Sequence, residues 1–415
     1  MGKTKGTALT LLLTIATCLP LPAATLRVGK GMPYGSINKA LSAACPGDVI
    51  VVRGGQVYRE RLLITKAVSI KGEGKPEIDG GQRGHVIEIK ASNVTLQGLT
   101  VTNSARSSMK DYCGIYASGC SNLRIKDNIL RRNQFSIMLQ NCNYSEVAHN
   151  NISSNITYNP IMGNAVHCWK CTTMSIHHNV VGHNRDGIYL EFVDNSRIFS
   201  NHISGCARYG MHFMFSHHNI YTANYFRHNK AGVAVMYTHH VTMANNIFEL
   251  NQGTSCYGLL IKELQYSTIR GNRFLGNTIG LMVDGGADLD AHDNLFKDNG
   301  WAMRMVSGSS NVTIKRNNFI GNTFDLATNK SYYHNTIDGN YWDKYDGYDL
   351  DKNGTGDVPY HPLSLFSTLA EQNDGVLLFF RSFLMNLLDQ AEKMLPTITP
   401  DNYVDNTPAM TPFKI

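Results

Sequence analysis

Gly210-Met-His-Phe-Met214 and, 22 residues later, Gly232-Val-Ala-Val-Met236 are two copies of one sequence unit. Each copy is a small residue followed by an alternating apolar run, and an asparagine comes ten residues after the run. These asparagines recur at spacings of 22, 29, 22, 23, 22, 26, 22 and 23 residues, at Asn128, Asn150, Asn179, Asn201, Asn224, Asn246, Asn272, Asn294 and Asn317. A recurrent period of roughly 20–50 residues is typical of solenoids.

The repeat predicts strands rather than helices. Apolar residues alternate in short runs, as in Gly187-Ile-Tyr-Leu-Glu191, and period-two alternation is typical of strands. Two or three short strands in each repeat would form one coil of a parallel β-helix, whose coils stack about 4.8 Å apart. Equivalent positions then lie above one another, and stacked asparagines can form a hydrogen-bonded ladder. The sequence therefore predicts an all-β solenoid.

The chain divides into six segments. Residues 1–24 have a basic start, an apolar core from Ala8 to Leu19 and small residues, which is typical of a secretory signal peptide. The other segments are an N-terminal cap (25–45) with a helix expected at 36–44, the β-helix (46–340), an Asp- and Gly-rich loop closing the solenoid (341–361), a helical extension (362–395) and an extended tail (396–415).

Charge and cysteine content exclude some functions and leave others open. The formal charge of +6 falls to +4 once residues 1–24 are removed, which gives no indication of nucleic-acid binding. Cys168-Trp-Lys-Cys171 is either a disulfide or inert pair, or a metal or redox motif. Cys113 and Cys120 are near enough in sequence to pair around a turn.

Strand alternation assigns each repeat position to a face. The first and third residues after the small one are apolar and should point inward, so the second and fourth should point outward. The second positions are His167, Tyr189, His212, Ala234, Leu260, Met282 and Arg304, and the fourth positions are Trp169, Glu191, Met214, Met236, Lys262, Asp284 and Val306.

This assignment predicts a metal site on the outer face. Met214 and Met236 become stacked neighbours beside His212, with His167 and Glu191 one or two coils away. Thioethers and imidazoles are the ligands that select copper(I) where thiolates are oxidised. The alternative is a partner interface, because methionine is common at adaptable binding surfaces. The pairs His217–His218 and His239–His240 fall in the next turn and strand, where solvated turns are the simpler interpretation.

Two features lie beyond the repeats. Asp349, Asp351, Asn353 and Asp357 resemble the first half of a calcium loop, although Tyr360 occupies the twelfth position where an acid is expected. A tight turn is the competing interpretation. Residues 363–369 and 376–395 have helical patterns with a broad apolar stripe. This extension either folds back to cap the last coil or is presented to a membrane partner.

Several motifs together resemble the NosD family, the periplasmic maturation proteins of nitrous oxide reductase. The resemblance is carried by Gly339-Asn-Tyr-Trp-Asp-Lys-Tyr-Asp-Gly-Tyr-Asp-Leu-Asp-Lys-Asn-Gly-Thr-Gly-Asp-Val-Pro-Tyr360, by Tyr209-Gly-Met-His-Phe-Met-Phe-Ser216, by Ala231-Gly-Val-Ala-Val-Met-Tyr237 and by the Pro-rich tail. It covers nearly the whole chain after residue 24, including the non-repetitive C-terminal part.

The resemblance implies a right-handed, pectin-lyase-like β-helix in the periplasm, held at the inner membrane through an ABC transporter. The C-terminal extension would contact the membrane subunits of that transporter. The protein would receive copper(I) from a lipoprotein chaperone and pass it to the apoprotein of nitrous oxide reductase, an enzyme of denitrification. The family motif residues matched here are His212, Met214 and Met236, with His167 and Glu191 nearby.

Two other classes of protein remain open from the sequence. A carbohydrate-active lyase, hydrolase or epimerase would use an acid and a base across a groove. The outward columns place Glu191 and Asp284 on different coils without a close acidic pair, and the sequence therefore favours a non-catalytic protein. A metal-free scaffold for the same assembly is the third interpretation.

Overall fold

The computed structural model describes residues 23–154, 161–306, 308–328, 334–379, 382–383, 387–388 and 403–415. The signal peptide expected at residues 1–24 lies almost wholly outside the described residues, as do the insertion at 155–160 and most of the extension beyond residue 379. The described chain is an all-β, right-handed parallel solenoid of about 13 turns, as predicted.

Three parallel faces form each coil. The first face consists of Leu62–Ile64, Ile87–Ile89, Cys113–Ser118, Phe135–Gln140, Val166–Trp169, Ile188–Glu191, Tyr209–Met214, Ala231–His239, Tyr257–Arg270, Ile279–His292, Trp301–Val306 and Phe324–Thr328. The second face consists of Thr25–Val28, Val49–Arg53, Ser69–Glu73, Thr95–Gln97, Arg124–Lys126, Glu146–Ala148, Ser175–His177, Arg197–Phe199, Ile220–Thr222, Thr242–Ala244, Ser310–Lys315 and Thr336–Asp338. The long strands Tyr257–Arg270 and Ile279–His292 run through the corner between these two faces.

The third face is a separate 13-stranded sheet. Its strands are Val57–Tyr58, Glu77–Asp79, Thr100–Thr102, Ile129–Arg131, Asn151–Ser153, Val180–Gly182, His202–Ser204, Tyr225–Arg227, Ile247–Glu249, Arg273–Leu275, Leu295–Lys297, Asn318–Ile320 and Tyr341–Trp342. The predicted inward positions of the first face are at most 1% exposed: Ile188, Leu190, Met211, Phe213, Val233, Val235, Leu259, Ile261, Leu281 and Val283. The period-two assignment of faces is therefore confirmed.

The asparagine column forms the predicted ladder. Asn150 is representative, because its Nδ2 and its backbone N–H both donate to Asn179 Oδ1 at 3.0 Å. Its Nδ2 also donates to the Ile125 carbonyl, at 2.9 Å. These contacts satisfy buried polar groups that would otherwise destabilise the fold. At the N-terminal side, Leu99 occupies the asparagine position and donates its backbone N–H to Asn128 Oδ1, at 3.0 Å.

Two further stacks support the coils, and the sequence analysis did not identify either. A second amide ladder runs through Asn229, Asn251, Asn277, Asn299 and Asn322. An inward aromatic stack, with ring centroids 4.1–5.4 Å apart, runs through Phe226, Phe248, Phe274, Phe296, Phe319 and Trp342. Both follow the same period as the first ladder, and register therefore places identical side chains in contact.

Different elements close the two ends of the solenoid. At the N-terminal end, helix α1 (Ile37–Ala43) begins at Ser36, whose side chain caps the helix, and buries Ile37, Ala40 and Leu41. This is the predicted cap helix. At the other end, Asp405 from the C-terminal tail accepts hydrogen bonds from Asn340 Nδ2 and Trp342 Nε1, at 3.2 and 2.9 Å. The tail therefore terminates both the ladder and the aromatic stack.

The C-terminal helix packs against the outer side of the last coils of the solenoid. Helix α2 (Leu365–Gln372) buries Phe366 and Ala370 against Trp301, Phe324 and Ala327 on the outer side of the first face. Asp374–Phe379 is a 3-10 helix, and most of the helical pattern predicted at 376–395 lies outside the described residues. Asn373 ends α2 and its Oδ1 accepts the Gly375 N–H. Such an Asn-Asp-Gly sequence favours a turn. Among the described residues, none of the helices has the length and apolar character needed to span a bilayer.

Candidate metal centre

The two outward columns of the first face have the predicted register. His167 pairs with Tyr189, and Tyr189 pairs with His212. In the fourth column Glu191 pairs with Met214, and Met214 pairs with Met236. Since parallel neighbours lie about 4.8 Å apart, the two methionines lie side by side with His212 two residues along the strand from Met214.

His212 points outward but is only 5% exposed. Its ring stacks on Tyr189 with centroids 4.6 Å apart, and the Tyr209 ring lies 4.8 Å away. Both imidazole nitrogens are buried without a hydrogen-bond partner among the described residues. The sequence predicted that this histidine points outward, and the aromatic side chains of adjacent positions cover it there.

Burial determines the charge of this imidazole. It lowers the pKa of His212 to about 4, and burial also lowers the pKa of His167 to about 4. Both rings are therefore neutral at pH 7, each with a lone pair available to a metal ion. Burying imidazole nitrogens without hydrogen-bond partners destabilises the folded protein. A ligand bound to one of these nitrogens would offset that cost.

A buried ion pair flanks His212. Asp186 is fully buried and accepts hydrogen bonds from the Arg208 guanidinium, with Nε at 2.8 Å. Its Oδ2 lies 3.9 Å from His212 Nδ1. The sequence analysis missed Asp186, Arg208 and Tyr209 because it considered only positions after the small residue. Strict alternation gives Tyr209 the inward parity of Met211, so its contact with the His212 ring could not be predicted from the period.

The methionine sulfurs lie beside a phenol. The Tyr189 hydroxyl donates to Met214 Sδ, at 3.6 Å. Burial, together with nearby Glu191, raises the pKa of Tyr189 to about 12, so the hydroxyl remains a donor at neutral pH. Met214 and Met236 are partly exposed.

The five predicted ligand residues do not form one cluster. His167 lies beside Glu191, with Nε2 and Oε2 3.9 Å apart. The Tyr189 ring lies between His167 and His212, with centroids 4.7 and 4.6 Å from each. Metal–nitrogen bonds of about 2.1 Å cannot span two strand spacings. The structure therefore separates His167 from His212, whereas Glu191 lies on the strand next to Met214.

Neither of the two disulfides that the cysteine spacing allows is formed between the described residues. The eight cysteines of the described residues are free thiols. Cys113 lies in an outer apolar cluster with Phe135, whereas Cys120 lies in the central core. The two thiols are therefore in different clusters, although their distance in sequence would allow a disulfide. Cys168 and Cys171 are buried in that core, and the pKa of Cys168 is raised by its hydrogen bond to Cys171 and by burial.

The Asp-rich loop uses its carboxylates to hold a turn. Asp349 accepts backbone N–H groups from Asn353 and Gly354 at 3.1 and 2.8 Å. Asp351 accepts the Asn353 side chain, and Asp357 accepts the Leu350 N–H. These hydrogen bonds are those expected of a tight turn rich in Asp and Asn. Calcium binding by the loop stays a prediction.

The lowered pKa values predict acid sensitivity of the metal-free protein. The unfolded imidazoles, with pKa near 6.5, bind protons between pH 6.5 and 4 while the folded ones do not, so stability falls as pH falls through this window. We expect His212 to contribute about 2 kcal/mol of this loss between pH 7 and 5. Urea unfolding in a chelating buffer would measure it.

His212→Phe, which retains the ring stack, should reduce that pH dependence. His228→Asn, which replaces an exposed histidine, is the matched control and should retain it. An unchanged pH dependence in His212→Phe would show that folding does not lower the pKa of His212.

Comparison with known proteins shows what the segment that carries this site is similar to. Residues 153–347 match the model of the NosD family, described as a periplasmic copper-binding protein. A Pseudomonas aeruginosa protein named probable ABC transporter binding protein NosD is 27% identical over 372 residues, covering 85% of this chain and 86% of that protein. A Stutzerimonas stutzeri protein of the same name is 27% identical over 195 residues, covering 43% of this chain and 44% of that protein.

Solved structures resemble the fold only. The tailspike of Pseudomonas phage phi297 has a TM-score of 0.52 at 10% identity, covering 73% of this chain and 72% of the tailspike. Identity this low assigns no activity. The fold and the outer-face site define a parallel β-helix protein with a candidate metal centre. The matched segment contains the whole of that centre, and over residues 153–347 the chain is similar to the NosD family.

Proposed function

We propose that this protein binds copper(I) through His212, Met214 and Met236 and delivers it for maturation of nitrous oxide reductase. The observation that carries the proposal is the register that stacks Met214 on Met236 beside a buried imidazole whose nitrogens have no hydrogen-bond partner among the described residues. The family description as copper-binding supports the choice of metal. The reductase as destination is supported by the resemblance of the sequence motifs alone.

The three donors suit copper(I) in the periplasm. Thioethers are soft ligands that select copper(I) over harder divalent ions, and unlike thiolates they do not form disulfides. The His212 ring turns its Nδ1 toward Asp186. We infer that Nε2 is the ligand atom and that Asp186, held by Arg208, orients the ring from behind. His167 lies one strand beyond Tyr189, and Glu191 lies two residues after Tyr189 on the same strand. These two residues would form an adjacent binding position for the ion.

Partial exposure fits a cargo rather than a permanent cofactor. A transfer protein has to accept copper from a lipoprotein chaperone and release it to the apo-reductase, so the ion must be reachable from outside. Met214 and Met236 are partly exposed and provide that access, while His212 is buried and would retain the ion.

Docking on an ABC transporter is the second part of the proposal. Related proteins are named as ABC transporter binding proteins. Helix α2 packs on the same face that carries the copper site, against Trp301 and Phe324. The segment that follows exposes large apolar side chains, with Leu378 at 88% and Phe383 at 77%. Exposed apolar clusters mark sites of protein or membrane interaction.

Charges in this segment should weaken the docking. We expect Leu378→Asp/Phe383→Asp to lower co-purification with the transporter membrane subunits by about tenfold or more, since an interface residue of this size contributes on the order of 1–2 kcal/mol. Met109→Asp is the matched control, because Met109 is 91% exposed and far from the extension. Equal losses in both variants would contradict docking through the extension.

Copper transfer is the test of the function itself. The mature protein, loaded anaerobically with one equivalent of copper(I), should restore copper to the apo-reductase in the presence of the transporter. A chain that binds no copper(I) yet still docks would be a scaffold. A loaded chain that never releases copper to the reductase would contradict delivery.

A further inference from the structure

We propose that two clusters of three histidines each bind one divalent ion of the zinc or copper(II) class. The first cluster is His149, His177 and His178, and the second is His218, His239 and His240. In each cluster one ligand nitrogen from every histidine lies within 4.8 Å of the others. This inference is independent of the copper(I) site, because it uses other residues and another oxidation state.

The two clusters share one geometry. In the first, Nδ1 of His177 and Nδ1 of His178 lie 2.9 Å apart, and the His178 ring stacks on His149 with centroids 4.8 Å apart. In the second, Nδ1 of His239 and Nδ1 of His240 lie 2.8 Å apart. The His240 ring stacks on His218, also with centroids 4.8 Å apart. The same arrangement therefore occurs at two different turns of the solenoid.

The backbone holds each cluster in place. His149 and His178 have φ of 55° and 53°, and His218 and His240 have φ of 54° and 55°. Left-handed positions are uncommon for residues other than glycine, although histidine is among those enriched there. Backbone hydrogen bonds fix the stacking, since the His149 N–H donates to the His177 carbonyl and the His218 N–H donates to the His239 carbonyl.

The chemistry of the facing nitrogens favours a cation. Two Nδ1 atoms less than 3 Å apart require one proton between them, and a metal ion can take the place of that proton. Metal–imidazole bonds are about 2.0–2.1 Å, so ligand nitrogens around one ion lie a little more than 3 Å apart. Small side-chain movements would bring three nitrogens to one ion.

The donor sets also indicate which ion. Imidazole suits zinc and copper(II), and neither cluster includes a sulfur that would select copper(I). In the first cluster Glu146 Oε1 lies 3.2 Å from His177 Nε2, which is the usual carboxylate support of a metal-bound imidazole. In the second cluster, the His217 ring stacks on His239 with centroids 3.8 Å apart. Three nitrogens leave a fourth position open for water or an exchanging ligand.

Calorimetric titration of the mature metal-free protein with zinc alone, and separately with copper(II) alone, tests this inference. The wild type should bind two ions. His178→Asn and His240→Asn should each lose one of them, and the double variant should lose both. Asparagine tolerates the left-handed backbone, and His228→Asn, an exposed histidine at another such position, should still bind two.

The signal of bound copper(II) in electron paramagnetic resonance should show coupling to three nitrogens in each single variant. The variant Met214→Leu/Met236→Leu should still bind two divalent ions, which separates this result from the copper(I) site. A wild type that binds fewer than two ions would overturn the proposal. Variants that retain both ions would overturn it as well.

Discussion

Replacing Met214 and Met236 together by leucine is expected to lower the affinity for copper(I) by about 100-fold or more. Loss of a group that only supports a ligand already costs 10–100-fold in metal affinity, and this change removes two of the three proposed ligands. Leucine has nearly the volume of methionine, and such exchanges usually cost less than about 1.5 kcal/mol of stability. The fold should therefore persist while the sulfurs are lost.

An anaerobic titration against a chromogenic copper(I) competitor would measure this effect. Met211→Leu is the matched control, because Met211 lies on the same strand as Met214 but is fully buried in the core. It should bind copper(I) as the wild type does. If the double variant kept the wild-type affinity, Met214 and Met236 would not be ligands of the copper ion.

Asp405→Ala is expected to destabilise the protein by about 3–5 kcal/mol, because each buried donor left unsatisfied costs about 1–3 kcal/mol. The carboxylate accepts the backbone N–H groups of Gly339 and Asn340, each at 2.9 Å. It also accepts Asn340 Nδ2 and Trp342 Nε1. Alanine would leave these buried donors unsatisfied at the end of the solenoid.

Chemical denaturation monitored by circular dichroism would measure the loss. Asn406→Ala, at the exposed neighbouring position, should change stability by less than about 0.5 kcal/mol. A wild-type unfolding curve for Asp405→Ala would show that the tail does not cap the ladder.

The fold and the pairing of the two methionines could be predicted from the sequence because both depend on periodicity. A period near 22 residues with alternating strands specifies which residues stack and which point outward. The register of Met214 on Met236 needed nothing more, and neither did the ladder through Asn150 and Asn179.

The surroundings of His212 could not be predicted in the same way. Its burial depends on how the rings of Tyr189 and Tyr209 tilt over it, and alternation gives the direction of a side chain but not what covers it. The separation of His167 from His212 has the same origin, since periodicity placed Tyr189 between them but could not indicate that its ring fills the gap.

Contacts between distant parts of the chain were also beyond the sequence. Asp405 bonds Asn340 across 65 residues, and no local pattern links the tail to the ladder. The position of α2 is similar, because an apolar stripe predicts burial of a helix without indicating whether the end or the side of the solenoid receives it. The histidine clusters were not predicted because they depend on residues with left-handed backbone angles, such as His178 and His240. Strand alternation does not indicate where such angles occur.

X-ray absorption at the copper edge, on wild-type protein loaded anaerobically with one equivalent of copper(I), tests the central claim most directly. We predict a first shell of two sulfur atoms and one imidazole nitrogen, as His212, Met214 and Met236 would provide. A shell of nitrogen and oxygen atoms without sulfur would contradict the proposed site and place the copper at the histidine clusters instead.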